Sequence, residues 1–492
     1  AIILRHLEQK EEALAWIEDS LKTDAFNFGC LFEKYLITRN ETVLIQLRNL
    51  MKRGAPDYEA LVLDYTSAGR FEEALAVAEL AIAQPVGEQT LLHYYKSWCL
   101  IRLGKTAEAQ IAIATAEKEP ADYCFPNALE AIEALQCVVD FAGKAPKALY
   151  YLGNLWYDKR RYPTAIAAWE RSSREDETFP TVWRNLSLAY FNKMNRPDEA
   201  VALLEKAFRL DHTDARVLME LDQLYKRLNR PHIERLCFLE QHIDIVMTRD
   251  DLYLEYVTLL NQTGQYREAI RRIDQRKFHP WEGGEGKVPA QYQLARLELA
   301  KELINRKKYD DALALIDECY IYPTHLGEGK LPGAQENDFN YYKAYILQQQ
   351  GRPEEAHSLF VKACSGNSQP AAAMYYNDQK PDKIFYQGLA YRKLGEEEKA
   401  RSRFNQLITY GEEHLFDRFK MDYFAVSLPD LLIWEDDMDK KNRIHCNYLM
   451  ALGHLGLGNR TKAEHFFDIA ASMDNNHQGV QIHRKLMNTI LS

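Results

Sequence analysis

Histidine, tryptophan, carboxylates and lysine crowd into a few glycine-rich stretches of this chain. Lys277 to Lys287 holds His279, Trp281, Glu285 and Lys287, and Tyr322 to Asp338 holds His325, Glu328 and Lys330. Met374 to Pro381 holds Asn377 and Asp378, and Met421 to Arg443 holds Trp434. Exposed aromatic rings beside carboxylates, amides and imidazoles are the chemistry of a polar-ligand or partner site. Glycine adds the close approach of another backbone, which a plain linker does not need. A purely structural use competes with this: the stretches cap one another and bury Trp281 and Trp434 against the elements beneath.

Sharper chemistries are excluded by spacing. Gly-Glu-Gly-Lys occurs twice, followed by Val288 and by Leu331 where a phosphate-binding loop needs Ser or Thr. Glu435 to Asp439 has no glycine hinge or alternating oxygen ligands, so it reads as a solvated acidic turn. His279, His325 and His445 form no i, i+4 pair that would hold a metal on one helix face. No nucleophile elbow or Cys–His pair is evident. No metal, cofactor or catalytic residue is therefore expected.

The elements that carry these stretches repeat. A small residue recurs at Ala13, Ala74, Ala109, Ala165, Ala200, Ala269, Ala312, Ala356, Ala400 and Ala463, with Glu234 breaking the rule once. In the regular stretches the spacing is 34 to 35 residues, and beyond Ala269 it rises to 43 and 44. The surplus falls between the second helix of one repeat and the first of the next, so the inserts leave equivalent connections and should line one edge. Wider gaps after Ala13 and Ala109 predict degenerate extra helices. Strand signals are nearly absent, and Pro or Gly punctuates the helices.

In Leu149 to Trp156, followed by Ala165 and Trp169, the spacing of large, Leu, Gly and aromatic residues resembles the tetratricopeptide repeat (TPR). The small residue lets two helices of a hairpin approach, and large residues three and four apart pack on the next hairpin. The expected fold is an all-α, right-handed TPR-like solenoid of about ten helical hairpins with long insertions in the C-terminal half. It divides into degenerate repeats over 1–145, regular repeats over 146–275 and insert-bearing repeats over 276–492.

Formal net charge is −10, from 62 Lys+Arg against 72 Asp+Glu, so there is no global footprint for nucleic acid. No apolar run is long enough to span a membrane. The eight cysteines lack C-x-x-C pairs and read as buried reduced thiols, which points to the cytoplasm.

The phrases Phe278 to Lys287, Leu326 to Lys330, Tyr376 to Asp378 and Tyr423 to Asp430 resemble a family of large bacterial proteins. Its members join an N-terminal β-sandwich domain similar to galactose mutarotases to a C-terminal TPR region. The resemblance implies that this chain is the helical region of such a protein, with a carbohydrate-related role; it carries over no catalytic residue. Two functions stand. One is a non-catalytic scaffold that binds a protein or peptide partner, including the sandwich domain. The other is the helical part of a glycan-processing enzyme whose inserts complete a sugar site. If the inserts are structural caps, the groove near Asn154, Asn185 and Lys343 is the better binding surface.

Overall fold

The structure, a computed structural model, describes residues 1–492 apart from 52–53, 85–86, 282, 373–377, 419–432 and 488–492. Every regular element among the described residues is helical. The chain forms two compact units, Ala1–Asn195 and Arg196–Ser492.

The first unit contains α1 (Ile2–His6), α2 (Lys10–Thr23), α3 (Phe28–Thr38), α4 (Glu41–Leu50), α5 (Ala55–Ser67), α6 (Phe71–Ile82), α7 (Thr90–Arg102), α8 (Thr106–Ala116), α9 (Glu130–Ala142), α10 (Pro146–Asp158), α11 (Tyr162–Glu175) and α12 (Pro180–Met194). The wide gaps in the alanine series resolve here. Between Ala13 and Ala74 lies a whole hairpin, α3 and α4, with Leu44 buried where a small residue would stand. Between Ala109 and Ala165 lies one added helix, α9, packed between α7 and α10.

The second unit contains α13 (Pro197–Leu210), α14 (Ala215–Arg227), α15 (His232–Gln241), α16 (Ile243–Val246), α17 (Asp250–Gln262), α18 (Tyr266–Asp274), α19 (Lys287–Asn305), α20 (Tyr309–Cys319), α21 (Asn337–Gln349), α22 (Pro353–Ala363), α23 (Pro381–Lys393), α24 (Glu397–His414), α25 (Met438–Gly456), α26 (Arg460–Met473) and α27 (Gln478–Leu486). From α17 to α26 the helices pair as hairpins, each second helix also packing on the first helix of the next pair.

The series positions do what the spacing predicts: all ten alanines are 0–2% exposed. The aromatic partner seats on glycine. In α10 a Cβ at Gly153 would fall inside the indole of Trp169, and in α23 one at Gly388 would fall inside the ring of Phe404. Trp169 Nε1 then donates to the Tyr150 carbonyl and to Asn154 Oδ1, both at 3.1 Å. Within hairpins the turn residue sits at positive φ, with Gly264 at 79° and Asn229 at 55°.

Two expectations are refined. Glu234 is exposed, and its neighbour Arg235 is fully buried in its stead. The cysteines are unpaired, but Cys237 lies on the surface, because it falls on the outward side of α15.

Candidate functional site

The first two inserts form one structure. Phe278 N–H donates to the His325 carbonyl at 2.8 Å, and Gly286 N–H donates to Glu328 Oε2 at 2.8 Å. The joint is tight: Gly327 has φ of 77°, and a Cβ there would stand 2.7 Å from the Phe278 oxygen. Phe278 is 2% and Leu326 1% exposed, so each insert sinks one apolar anchor beneath the junction.

Between the two inserts opens a pocket of about 270 Å³ lined by His279, Pro280, Trp281, Gly284, Glu285, Val288, Leu326 and Glu328. Trp281 is half-buried, laid over Gly284, where any Cβ would collide with the indole. Val288 and Leu326 give an apolar floor. Glu285 and Glu328 are both half-buried. Burial pushes the Glu328 carboxyl above its ordinary value; the Gly286 N–H opposes this and the Glu285 charge adds to it. His279 is anchored through its own N–H and its Nδ1 to Asp250 Oδ2, at 2.9 and 3.1 Å. Asp250 in turn accepts from Arg276 Nε at 2.6 Å.

The remaining candidates are placed differently. Lys287 is exposed at the first residue of α19. His325 lends its carbonyl to the junction, while its ring packs edge-on to Tyr292 at 6.4 Å. Lys330 turns back to the Tyr320 carbonyl at 2.9 Å and to Glu336. The Asp378 carbonyl accepts from Gln335 at 3.1 Å, linking the third insert to the second; Asn377 lies outside the described residues. Trp434 is 0% exposed, and its Nε1 donates to the Glu220 carbonyl of α14 at 3.1 Å. It is a buried anchor and not part of the pocket. An indole is the largest apolar side chain available, and its one donor is satisfied in the interior.

A second cluster was not foreseen. Residues 473–487 return across the first helices of the hairpins in the second unit. Asn475 and Asn476 bond the α14–α15 turn and α14, with Asn475 Nδ2 2.8 Å from the Asn229 carbonyl and Asn476 Nδ2 3.0 Å from the Lys226 carbonyl. Gln478 Nε2 reaches Gln291 of α19 at 3.0 Å, Lys485 reaches Tyr266 at 3.2 Å, and His483 packs on Phe385 and Tyr386 of α23. The one signal in the sequence was the break in the alanine rule at Glu234, beside Arg235. Of the groove residues, Asn185 Nδ2 donates to Asn154 Oδ1 at 3.0 Å, and Lys343 pairs with Asp317 at 2.5 Å.

Among the described residues no group of three His, Cys, Asp or Glu could hold a metal ion, and no helix is long and apolar enough to cross a membrane. The tetratricopeptide repeat family matches the chain over residues 384–410 and 125–181. Among solved structures the chain is similar to YrrB, a TPR protein with an unusual peptide-binding site, at 15% identity over 38% of this chain and 91% of that one, with a TM-score of 0.30. The TPR domain of P58(IPK) is similar at 14% identity over 92% and 98%, with a TM-score of 0.26. MamA is similar at 16% identity over 38% and 95%, with a TM-score of 0.24. The two matched stretches include the hairpins of α10 with α11 and of α23 with α24, which carry the buried Ala165 and Ala400, so tetratricopeptide repeats are found in this all-helical chain at those places.

Proposed function

We propose that the chain is a TPR interaction scaffold that takes its partner at the edge pocket between the first two inserts of the second unit. The observation that carries this reading is a contrast within that unit. The helix face that a repeat array ordinarily offers is crossed by residues 473–487 of the same chain, while the pocket around Trp281 stays open. Apolar floor, aromatic wall and a few placed polar groups are the ingredients of a recognition site. A rigid floor helps: the inserts are zipped to each other and seated on buried anchors, so little ordering entropy is lost on binding.

A glycan is the second reading, favoured by one feature, the tryptophan beside two carboxylates in a cavity wide enough for a sugar ring. Peptide and glycan arrays probed with the whole chain and with Trp281→Ala test both. Ligands held by the parent and lost by the variant, at an unchanged melting temperature, support the pocket; equal binding by both proteins overturns it.

A further inference from the structure

The edge pocket carries a charge imbalance that narrows its ligand. Glu285 has no ion-pair partner among the described residues, and the bond to Glu328 comes from the Gly286 N–H. The cations around the inserts are committed elsewhere: Arg276 to Asp250, Arg296 to Asp274 and Glu318, and Lys330 to Glu336. His279, the other titratable group of the lining, faces Asp250. Two half-buried carboxylates thus share a small cavity with an indole, and the lining holds no lysine or arginine; Lys287, exposed at the first residue of α19, is not among the lining residues.

We infer that this pocket receives one cationic side chain, the lysine or arginine of an extended polypeptide partner. The inference rests on the reading of the pocket as the partner site and names the chemistry that site selects. Each part of the lining has a task. The methylene stem lies along Pro280, Val288 and Leu326, which keeps apolar surface dry while the charged head reaches further. The cation sits over the Trp281 ring, held in place by Gly284 beneath it. Glu285 and Glu328 supply charge-assisted acceptors. A neutral ligand of the same size would strip water from two carboxylates without replacing it by opposite charge, which is costly where both are already half-buried. A carboxylate or phosphate would add a third negative charge.

The test uses the whole chain labelled with 5-fluorotryptophan and read by fluorine NMR, the Trp281 line being assigned with Trp281→Phe. The probes are the acetylated, amidated pentapeptides Gly-Ser-Lys-Ser-Gly and Gly-Ser-Arg-Ser-Gly, the same peptide with norleucine at the centre, and galactose. The lysine and arginine peptides should move the Trp281 line saturably, and added salt should weaken them. Glu285→Gln and Glu328→Gln should each weaken them about tenfold, at melting temperatures close to the parent. If the norleucine peptide or galactose moves the line as well as the lysine peptide does, the charge inference is wrong and the pocket reading stands. If the arrays yield a ligand that leaves the Trp281 line unmoved, the pocket reading itself fails. If no probe moves the line and the arrays show no Trp281-dependent ligand, both fall.

Discussion

Arg235 Nη1 donates to Asn476 Oδ1 at 2.7 Å, joining two residues 241 apart in sequence. The Arg235 side chain is 0% exposed and holds Asp222 with two bonds, Nε to Oδ1 at 3.0 Å and Nη2 to Oδ2 at 2.6 Å; Nη2 also reaches Glu255 Oε1 at 2.8 Å. Burial pushes Asp222 up despite its partner. Burial pushes Glu255 up as well, but Lys226 and Arg235 outweigh it and hold that carboxyl at about 2. One residue therefore ties α14, α15, α17 and the returning segment together.

Breaking such a group leaves a buried carboxylate unpaired, so Arg235→Ala should cost about 3–5 kcal/mol in urea unfolding of the chain. Asn476→Ala, which removes one charge-assisted acceptor, should cost about 1–3 kcal/mol. Adding Asp222→Asn to Arg235→Ala should recover part of the loss, because the stranded charge is gone. Additive losses would mean that Asp222 and Arg235 do not act as a pair.

The alanine series was legible because small residues at hairpin crossings recur at a fixed period, and a period is a local property that sequence records directly. The same period put the inserts at equivalent connections, whereas the bonds from Phe278 to the His325 carbonyl and from Gly286 to Glu328 have no sequence signature. Trp434 and the segment 473–487 were not legible. Their partners, Glu220, Arg235, Asn229 and Gln291, lie more than 180 residues away, and the bonds are made by Asn, Gln and backbone groups with no spacing signature. An exposed tryptophan and a buried one also look alike in a string of letters. Only the seat of Trp434 against α14, where its Nε1 meets the Glu220 carbonyl, decides between them.

Overpacking tests the repeat register. Ala312 is 0% exposed at the crossing of α19 and α20, so Ala312→Leu should force the two helices apart and cost about 1–3 kcal/mol. Asp311→Ala, on the exposed side of the same turn, should stay within about 0.5 kcal/mol of the parent. Equal melting of both variants would put the crossing elsewhere.

Thiol kinetics test the orientation of α15. Cys99, Cys124, Cys319 and Cys446 are buried, and burial raises their thiols, Cys446 to about 11 and Cys99 to about 12. Cys237 alone is fully on the surface. A bulky aromatic disulfide reagent should titrate one fast thiol in the folded chain, absent in Cys237→Ser, and eight after denaturation without reductant. A fast phase that survives Cys237→Ser would mean that α15 is rotated.

The returning segment should also make the second unit acid-sensitive. His483 is 3% exposed, with Nδ1 2.8 Å from the Gly479 carbonyl and 3.0 Å from Tyr448 Oη. Burial pushes its imidazole down to about 4; Lys301 and Lys383 push the same way, and Asp382 and the Gly479 carbonyl oppose them. Between that value and the free-histidine value near 6.5, the unfolded chain binds a proton that the folded chain refuses. Stability must therefore fall as pH falls through this window, by about 2 kcal/mol between pH 7 and pH 5 from this residue. His445, half-buried with Nε2 2.8 Å from the Ala371 carbonyl and also held at about 4, acts in the same direction. His483→Gln should flatten the urea midpoint against pH relative to the parent. An unchanged slope would show that His483 takes up its proton without unfolding.

The Trp281 wall of the pocket can be displaced without substituting Trp281 or either carboxylate. Gly284 has no positive φ, so alanine is acceptable to its backbone, yet its Cβ would occupy the place of the Trp281 indole. Gly284→Ala should therefore expel the ring, shift the Trp281 fluorine line and abolish the response to the lysine pentapeptide. It should cost less than about 1 kcal/mol, because a loop side chain at the edge of the fold supports little beneath it. Gly327→Ala is the contrasting case. With φ of 77° and a Cβ 2.7 Å from the Phe278 oxygen, it strains the backbone and pries at the bond between Phe278 and His325. That variant should lose stability and pocket together. Undiminished peptide response in Gly284→Ala would show that the indole does not form the wall that recognises the ligand.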